Sequence, residues 1–139
     1  MPVMTIEDLT DFLAREFPQV KNEFQIEEVR DMGLRVRLKV EERHLRPGGT
    51  VSGPTMFSLA DVAVYLTILA QIGPKALAVT TNCSIDFMRK PAANTDLVAD
   101  CTLLKLGRVL AIGDTLIRSD GMEAPVARAT LTYSIPPER

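Results

Sequence analysis

The stretch Thr55-Met56-Phe57-Ser58-Leu59-Ala60-Asp61-Val62-Ala63-Val64-Tyr65-Leu66-Thr67-Ile68-Leu69-Ala70-Gln71-Ile72 decides the reading of this chain. It has the length and content of one long helix. Pro54 fits its first turn, where a missing N–H costs nothing, and Gly73-Pro74 stops it. The helix is apolar on nearly every face and carries one charge, Asp61. Such a helix must be covered, either by its own protein or by lipid. A central Asp costs about 2.5–3.5 kcal/mol to insert into a bilayer, and Ser58, Thr67 and Gln71 add to that cost. The expectation is a helix wrapped by protein, with no membrane partner.

The flanking sequence supplies the wrapping. Before the helix, Ile6, Leu9, Phe12 and Leu13 recur at helical spacing behind a Thr5/Asp8 capping pair. They predict a short amphipathic helix within residues 1–20 that Pro18 ends. Phe24 to Val29 reads as a strand. After the Asp31-Met32-Gly33 turn, Leu34, Val36, Leu38 and Val40 alternate with Arg35, Arg37, Lys39 and Glu41, the pattern of a half-buried antiparallel strand. Glu42 to Pro54, with Pro47, Gly48, Gly49 and Gly53, reads as a loop. From Ala76 onward the chain is strand-rich: alternation runs through Met88, and further strands are expected near Asp96–Leu104, Arg108–Arg118 and Ala124–Ile135. Lys105-Leu106-Gly107 and Ser119-Asp120-Gly121 read as hairpin connections. The order helix, two strands, long helix, four strands predicts an α+β domain spanning 1–139. Its curved antiparallel sheet wraps the central helix at 55–72.

Bulk composition fits. The chain has 139 residues, 46% hydrophobic and 24% charged, with a net charge of -2 and a pI near 5.4. That suits one packed core. No basic block suggests nucleic acid. The N-terminus lacks the order of a secretory signal, and Cys83 and Cys101 read as buried, reduced thiols in strands. A cytoplasmic location is expected. One histidine, His44, and two separated cysteines do not make a zinc site. No Gly-x-Ser-x-Gly elbow is present for a Ser-His-Asp triad, and His44 reads as a solvated loop side chain.

Chemistry concentrates at the central helix. Ser58, Asp61 and Tyr65 share one face at helical spacing and read as a narrow polar stripe. A buried carboxylate must be hydrogen-bonded, reach water or take up a proton. Two readings of Asp61 stay open on the residues alone. It is either a structural acid satisfied by backbone or Ser58, or a general base or nucleophile. Gly53 likewise reads either as a tight start to the helix or as a close backbone approach, where first-turn N–H groups meet a developing negative charge.

The run Ser52-Gly53-Pro54-Thr55-Met56-Phe57-Ser58-Leu59-Ala60-Asp61 resembles the signature of PaaI-like acyl-CoA thioesterases of the hotdog-fold superfamily: His-Gly-Gly, four residues, then Leu-Ala-Asp. Val79-Thr80 through Ser84-Ile85-Asp86-Phe87-Met88-Arg89-Lys90-Pro91-Ala92 is similar to the family's central strand and its ending. Lys105-Leu106-Gly107-Arg108 and Ala127 to Tyr133 resemble the following hairpin and last strand. The resemblance covers Leu34 to Ile135 in order.

The resemblance implies a hotdog fold and hydrolysis of acyl-CoA-type thioesters. It places the acid on Asp61, the oxyanion-hole backbone N–H on Gly53 and the water-holding hydroxyl on Thr80. It puts Ser52 at the signature His and Pro54 at the second Gly. Arg46 stands where the family has an Asn or Gln, suited to a substrate carboxylate or phosphate. Arg89, Lys90 and Arg108 become candidates for coenzyme A phosphates. No cofactor is implied beyond the coenzyme A of the substrate. The family's sites form between subunits, and a curved sheet leaves edges to be paired, so a homodimer assembling to a homotetramer is expected. The replaced residues also suit a non-catalytic domain binding acyl-CoA or another small ligand. Hydratase or dehydratase chemistry, known in related hotdog proteins, would need His44.

Overall fold

The computed structural model describes residues 1–20, 22–74 and 77–137. The first helix, α1 (Ile6–Glu16), starts where the sequence predicts: Thr5 Oγ1 accepts from Asp8 N–H and Asp8 Oδ2 accepts from Thr5 N–H, both at 3.0 Å. Leu9, Phe12 and Leu13 form its buried face. Strands β1 (Phe24–Arg30) and β2 (Gly33–Leu38) follow, then a short ribbon of β3 (Leu45–Arg46) and β4 (Thr50–Val51). The central helix is α2 (Gly53–Ile72), and β5 (Val79–Phe87), β6 (Leu97–Leu106), β7 (Leu110–Ser119) and β8 (Pro125–Ser134) complete the order. The start of the strand-rich half expected at Ala76 lies outside the described residues.

The main sheet has six strands in the order β1-β2-β6-β7-β8-β5, antiparallel throughout. Its inner face closes over α2, and α1 packs against β1 and α2. This is the hotdog arrangement, and it explains why α2 is apolar all round. Leu59, Val64, Leu66, Ile68 and Leu69 are fully buried, each stabilising the fold by about 1.5–3 kcal/mol. The polar Thr67 is satisfied within the helix, donating to Ala63 O at 2.6 Å. By length and composition α2 could cross a membrane, yet most of it is buried inside the protein.

Three expectations need correction. The strand predicted through Glu41 ends at Leu38, although Val40 still packs against the core between exposed Lys39 and Glu41. Lys39 N–H still donates to Glu23 O (2.9 Å), in register with β1, but Val40 N–H goes to the Asp96 side chain (Oδ1, 3.0 Å), so the chain leaves the ladder there. The stretch read as loop is largely ordered: it holds a 3₁₀ turn (Glu42–His44) and the β3–β4 ribbon. Gly48 and Gly49, at φ +102° and +78°, supply the reversal that other residues resist. Finally, α2 begins at Gly53, two residues before the expected Thr55, because Ser52 Oγ accepts from Thr55 N–H and caps the helix.

His44 also departs from its expected solvation. It is 5% exposed and paired with Glu23, itself 9% exposed. Its Nδ1 accepts from Glu41 N–H at 2.8 Å, which leaves Nε2 to donate to Glu23 Oε1 at 3.2 Å. Ser52 N–H donates to His44 O at 2.9 Å. The buried pair therefore ties the segment preceding α2 to β1's leading edge.

Close approach of α2 to the sheet depends on one residue. A methyl group added to Gly113 of β7 would sit 2.9 Å from Val64 Cγ1 and 3.1 Å from Cγ2. Val64 is β-branched and stiff. Gly113→Ala is expected to cost about 1–3 kcal/mol in urea unfolding. Combined with Val64→Ala, the loss should be smaller than the sum of the two singles. Strict additivity would show that Gly113 is not the point of contact.

Candidate active site

The two ends of the site lie at two positions along α2. Gly53 opens the helix, and Asp61 sits about 12 Å further along its axis at 1.5 Å per residue. The first turn presents free donors as helix geometry requires. Ser52 accepts from Thr55 N–H and Met56 N–H, while the Gly53 N–H has no acceptor among the described residues. Ser52 Oγ also lies 2.8 Å from Thr55 Oγ1, so its hydroxyl serves the cap. The Phe87 ring lies over Gly53: a methyl on the glycine would come within 3.4 Å of Phe87 Cζ.

A cleft of about 750 Å³ opens beside this turn. It brings together Arg46 from β3, Gly53, Phe87 and the Arg89-Lys90 pair that follows β5. Arg89 Nη1 donates to Pro125 O, which holds that side chain along the cleft. None of the cleft's cations forms an ion pair among the described residues. Arg108 lies elsewhere, in a cleft of about 800 Å³ at the far end of α2 beside Ile72.

Asp61 is partly buried and faces β5 and β8. Its Oδ1 accepts from Thr80 Oγ1 at 2.5 Å and from Tyr133 OH at 2.7 Å; the same phenol reaches Asp61 O at 3.1 Å. Sheet register explains the convergence, since Thr80 of β5 stands opposite Tyr133 of β8 on the inner face. No hydrogen bond falls on Oδ2 among the described residues, and Asp61 joins no ion pair among them. The carboxylate is satisfied on one oxygen and free on the other.

Along the expected Ser58-Asp61-Tyr65 stripe, Ser58 and Asp61 are half-buried and Tyr65 is buried. Tyr65 is buried and packs edge-on to Phe17 (5.8 Å between ring centroids), near Phe12 (6.3 Å) and Tyr133 (6.0 Å). Burial pushes its phenol up to about 12, with Glu16 adding to the shift. Tyr133 is the residue that sequence reading misses. Its signal lies in the inward set Ala127, Ala129, Leu131, Tyr133, but only the β5–β8 register brings that hydroxyl to Asp61.

Neither cysteine is an activated nucleophile. Burial raises the Cys83 thiol, and the nearby Asp61 charge raises it further; Cys101 is raised chiefly by burial. Cys83 is half-buried where Cys101 is fully buried. His44, locked against Glu23, faces the protein interior rather than either cleft. Among the described residues no group of three His, Cys, Asp or Glu side chains could hold a metal.

Comparison with known proteins points one way. The sequence profile of the Thioesterase superfamily matches residues 48–126, a span that holds Gly53, Asp61 and Thr80. A candidate thioesterase from Silicibacter sp. TM1040 is 58% identical, covers 99% of this chain and 95% of its own, and superposes with a TM-score of 0.93. A mutant of the phenylacetic acid degradation protein PaaI from Thermus thermophilus is 26% identical over 86% of this chain and 99% of its own (TM-score 0.73). Zebrafish thioesterase superfamily member 2, at 20% identity, shares the fold over 96% of this chain and 99% of its own (TM-score 0.83). No curated protein sequence matches the chain.

Gly53→Pro would delete the Gly53 N–H. Ser52, at φ -73° and ψ 155°, already has the backbone that precedes a proline, and the first helical turn accepts one. Gly53→Pro is expected to fold at a cost of about 1–3 kcal/mol, because Pro54 disfavours helical backbone in the residue before it, as thermal unfolding would report. A loss several times larger would mean that Gly53 is needed for the helix start itself.

Proposed function

The chain belongs to the Thioesterase superfamily and is a thioesterase, and from that premise we propose that its substrate is an acyl-coenzyme A, with Asp61 as general base or nucleophile and the Gly53 N–H as oxyanion donor. The observation that carries this reading is the distribution of chemistry along one exposed strand. β5 is an edge of the sheet, and most of its residues are exposed on both faces. Phe87 at its end lies against Gly53, and Thr80 near its start holds Asp61.

Within one chain those groups are too far apart to serve one carbonyl. Antiparallel pairing of β5 with β5 of a second copy would reverse the strand across a twofold axis. Asp61 of one subunit would then face the partner's Gly53. Arg108 follows the same logic. Its hairpin shares the Val79 end of the sheet, because Leu110 and Val79 both stand opposite Ser134. Pairing would carry Arg108 towards the partner's Arg46, the partner's Arg89 and the partner's Lys90. Four cations around one mouth suit the phosphates of coenzyme A. The pairing would also cover an edge that is otherwise open to aggregation.

In the reaction, the partner's Gly53 N–H, at the positive end of α2, receives the thioester carbonyl oxygen. Water held by Thr80 attacks the carbonyl carbon as Asp61 Oδ2 takes its proton. The tetrahedral oxyanion collapses, the C–S bond breaks, and the coenzyme A thiolate leaves and is protonated. In the direct variant Asp61 Oδ2 forms an acyl anhydride that water then cleaves. Hydratase chemistry through His44 has no support, since that imidazole is buried against Glu23. We read the protein as a cytoplasmic homodimer pairing again to a homotetramer; a monomer in light scattering at micromolar concentration would refute that.

The test is thiol release across aryl, short, medium and long acyl-CoAs, with matching N-acetylcysteamine thioesters. Turnover should favour coenzyme A over its truncated analogue. Asp61→Asn should lower kcat by about 10²–10⁴-fold with the fold intact. Equal turnover of both thioester series would remove the coenzyme A assignment. Undiminished turnover in Asp61→Asn would remove the role of Asp61.

A further inference from the structure

A thioesterase needs its carboxylate aimed as well as present, and the residues around Asp61 carry an inference about how that is done. We propose that Tyr133 is a positioning residue: with Thr80 it fixes Asp61 Oδ1 as an anchor and so presents Oδ2 as the reacting oxygen. The inference rests on the reading of Asp61 given above.

Four observations converge. First, an ionised carboxylate only accepts hydrogen bonds, so the contacts at 2.5 Å from Thr80 Oγ1 and 2.7 Å from Tyr133 OH are both donated, and both fall on Oδ1. Two donors on one oxygen set the rotation of the carboxylate about its last bond. Second, the phenol also reaches Asp61 O at 3.1 Å. It therefore grips side chain and backbone of the same residue and references the carboxylate to the helix axis.

Third, the donor cannot drift. Tyr133 is 3% exposed. It stands in one row of the sheet with Thr80 of β5 on one side and Ala111 of β7 on the other. Its ring meets Tyr65, which Phe12 and Phe17 back from α1 and the turn after it. Fourth, the surroundings of the donor favour its protonated form. Burial, reinforced by the Asp61 charge, raises the Tyr133 phenol far above the ordinary tyrosine range. The shift favours the neutral phenol, which is the form that donates.

Positional control of this kind acts on the chemical step. A misplacement of about 1 Å at a reacting group costs on the order of 100-fold in rate, while substrate binding, set in the cationic cleft, is untouched. Tyr133 lies outside the span matched by the family profile, which ends at residue 126. Its role is accordingly a property read from this chain's own geometry.

The experiment is Tyr133→Phe, which removes one hydroxyl and keeps the ring, measured alone and in an Asp61→Asn background. Alone it should lower kcat by about 10- to 100-fold with KM within about twofold. In the Asp61→Asn background it should lower the residual rate no further, because the group it positions is already gone. Near-ultraviolet circular dichroism would verify packing of each variant. Wild-type kcat in Tyr133→Phe overturns the proposal. So does an equal fractional loss in both backgrounds, which marks a merely structural role. If Asp61→Asn itself keeps full activity, the reading of Asp61 fails first. Loss in Asp61→Asn with none in Tyr133→Phe removes the present proposal alone.

Discussion

A single carboxylate inside an apolar helix constrains everything around it. Most of α2 must be covered, and the sheet and α1 do that. Asp61 cannot be covered in the same way, since burial without partners would cost several kcal/mol or neutralise it. The fold resolves the conflict asymmetrically. Two hydroxyls from adjacent strands satisfy Oδ1, and Oδ2 is left free at the open edge of the sheet. Placing the acid near β5 gives it a satisfied face and an accessible one.

The same geometry separates acid and oxyanion donor. Ser52 caps α2 and leaves the Gly53 N–H unspent, while His44 and Glu23 hold the segment that delivers it. Helical rise then puts Gly53 and Asp61 at opposite ends of β5. A twofold across that strand, as proposed, would join what one chain keeps apart. On the proposed reading catalysis and assembly would become one requirement, and the exposed Phe87, at 52%, lies where the two would meet.

Much of this was legible in the residues. The helix was marked by its stops and its lone charge, the sheet by alternation, and α1 by its capping pair. What escaped was long-range. Val40 alternates correctly, yet the Asp96 carboxylate takes its N–H and β2 ends early. His44 reads as a loop residue because nothing local reveals Glu23 beside it. Tyr65 shares a helical face with Asp61 but turns to aromatic neighbours at the N-terminal helix, whereas Tyr133, 72 residues away, supplies the hydrogen bond. Periodicity fixes which way a side chain faces; register decides whom it meets, and register depends on packing across the whole sheet.

The central claim is that one active site is built from Asp61 of one subunit and Gly53 of the other. Subunit mixing tests it most directly. Asp61→Asn and Gly53→Pro chains, each inactive alone, would be co-expressed and assayed for thiol release. Random pairing makes about half the dimers mixed, and each mixed dimer holds one intact site, so activity should return to about a quarter of wild type. No recovery, with mixed dimers demonstrated by mass, would contradict the account and place the whole site within one chain.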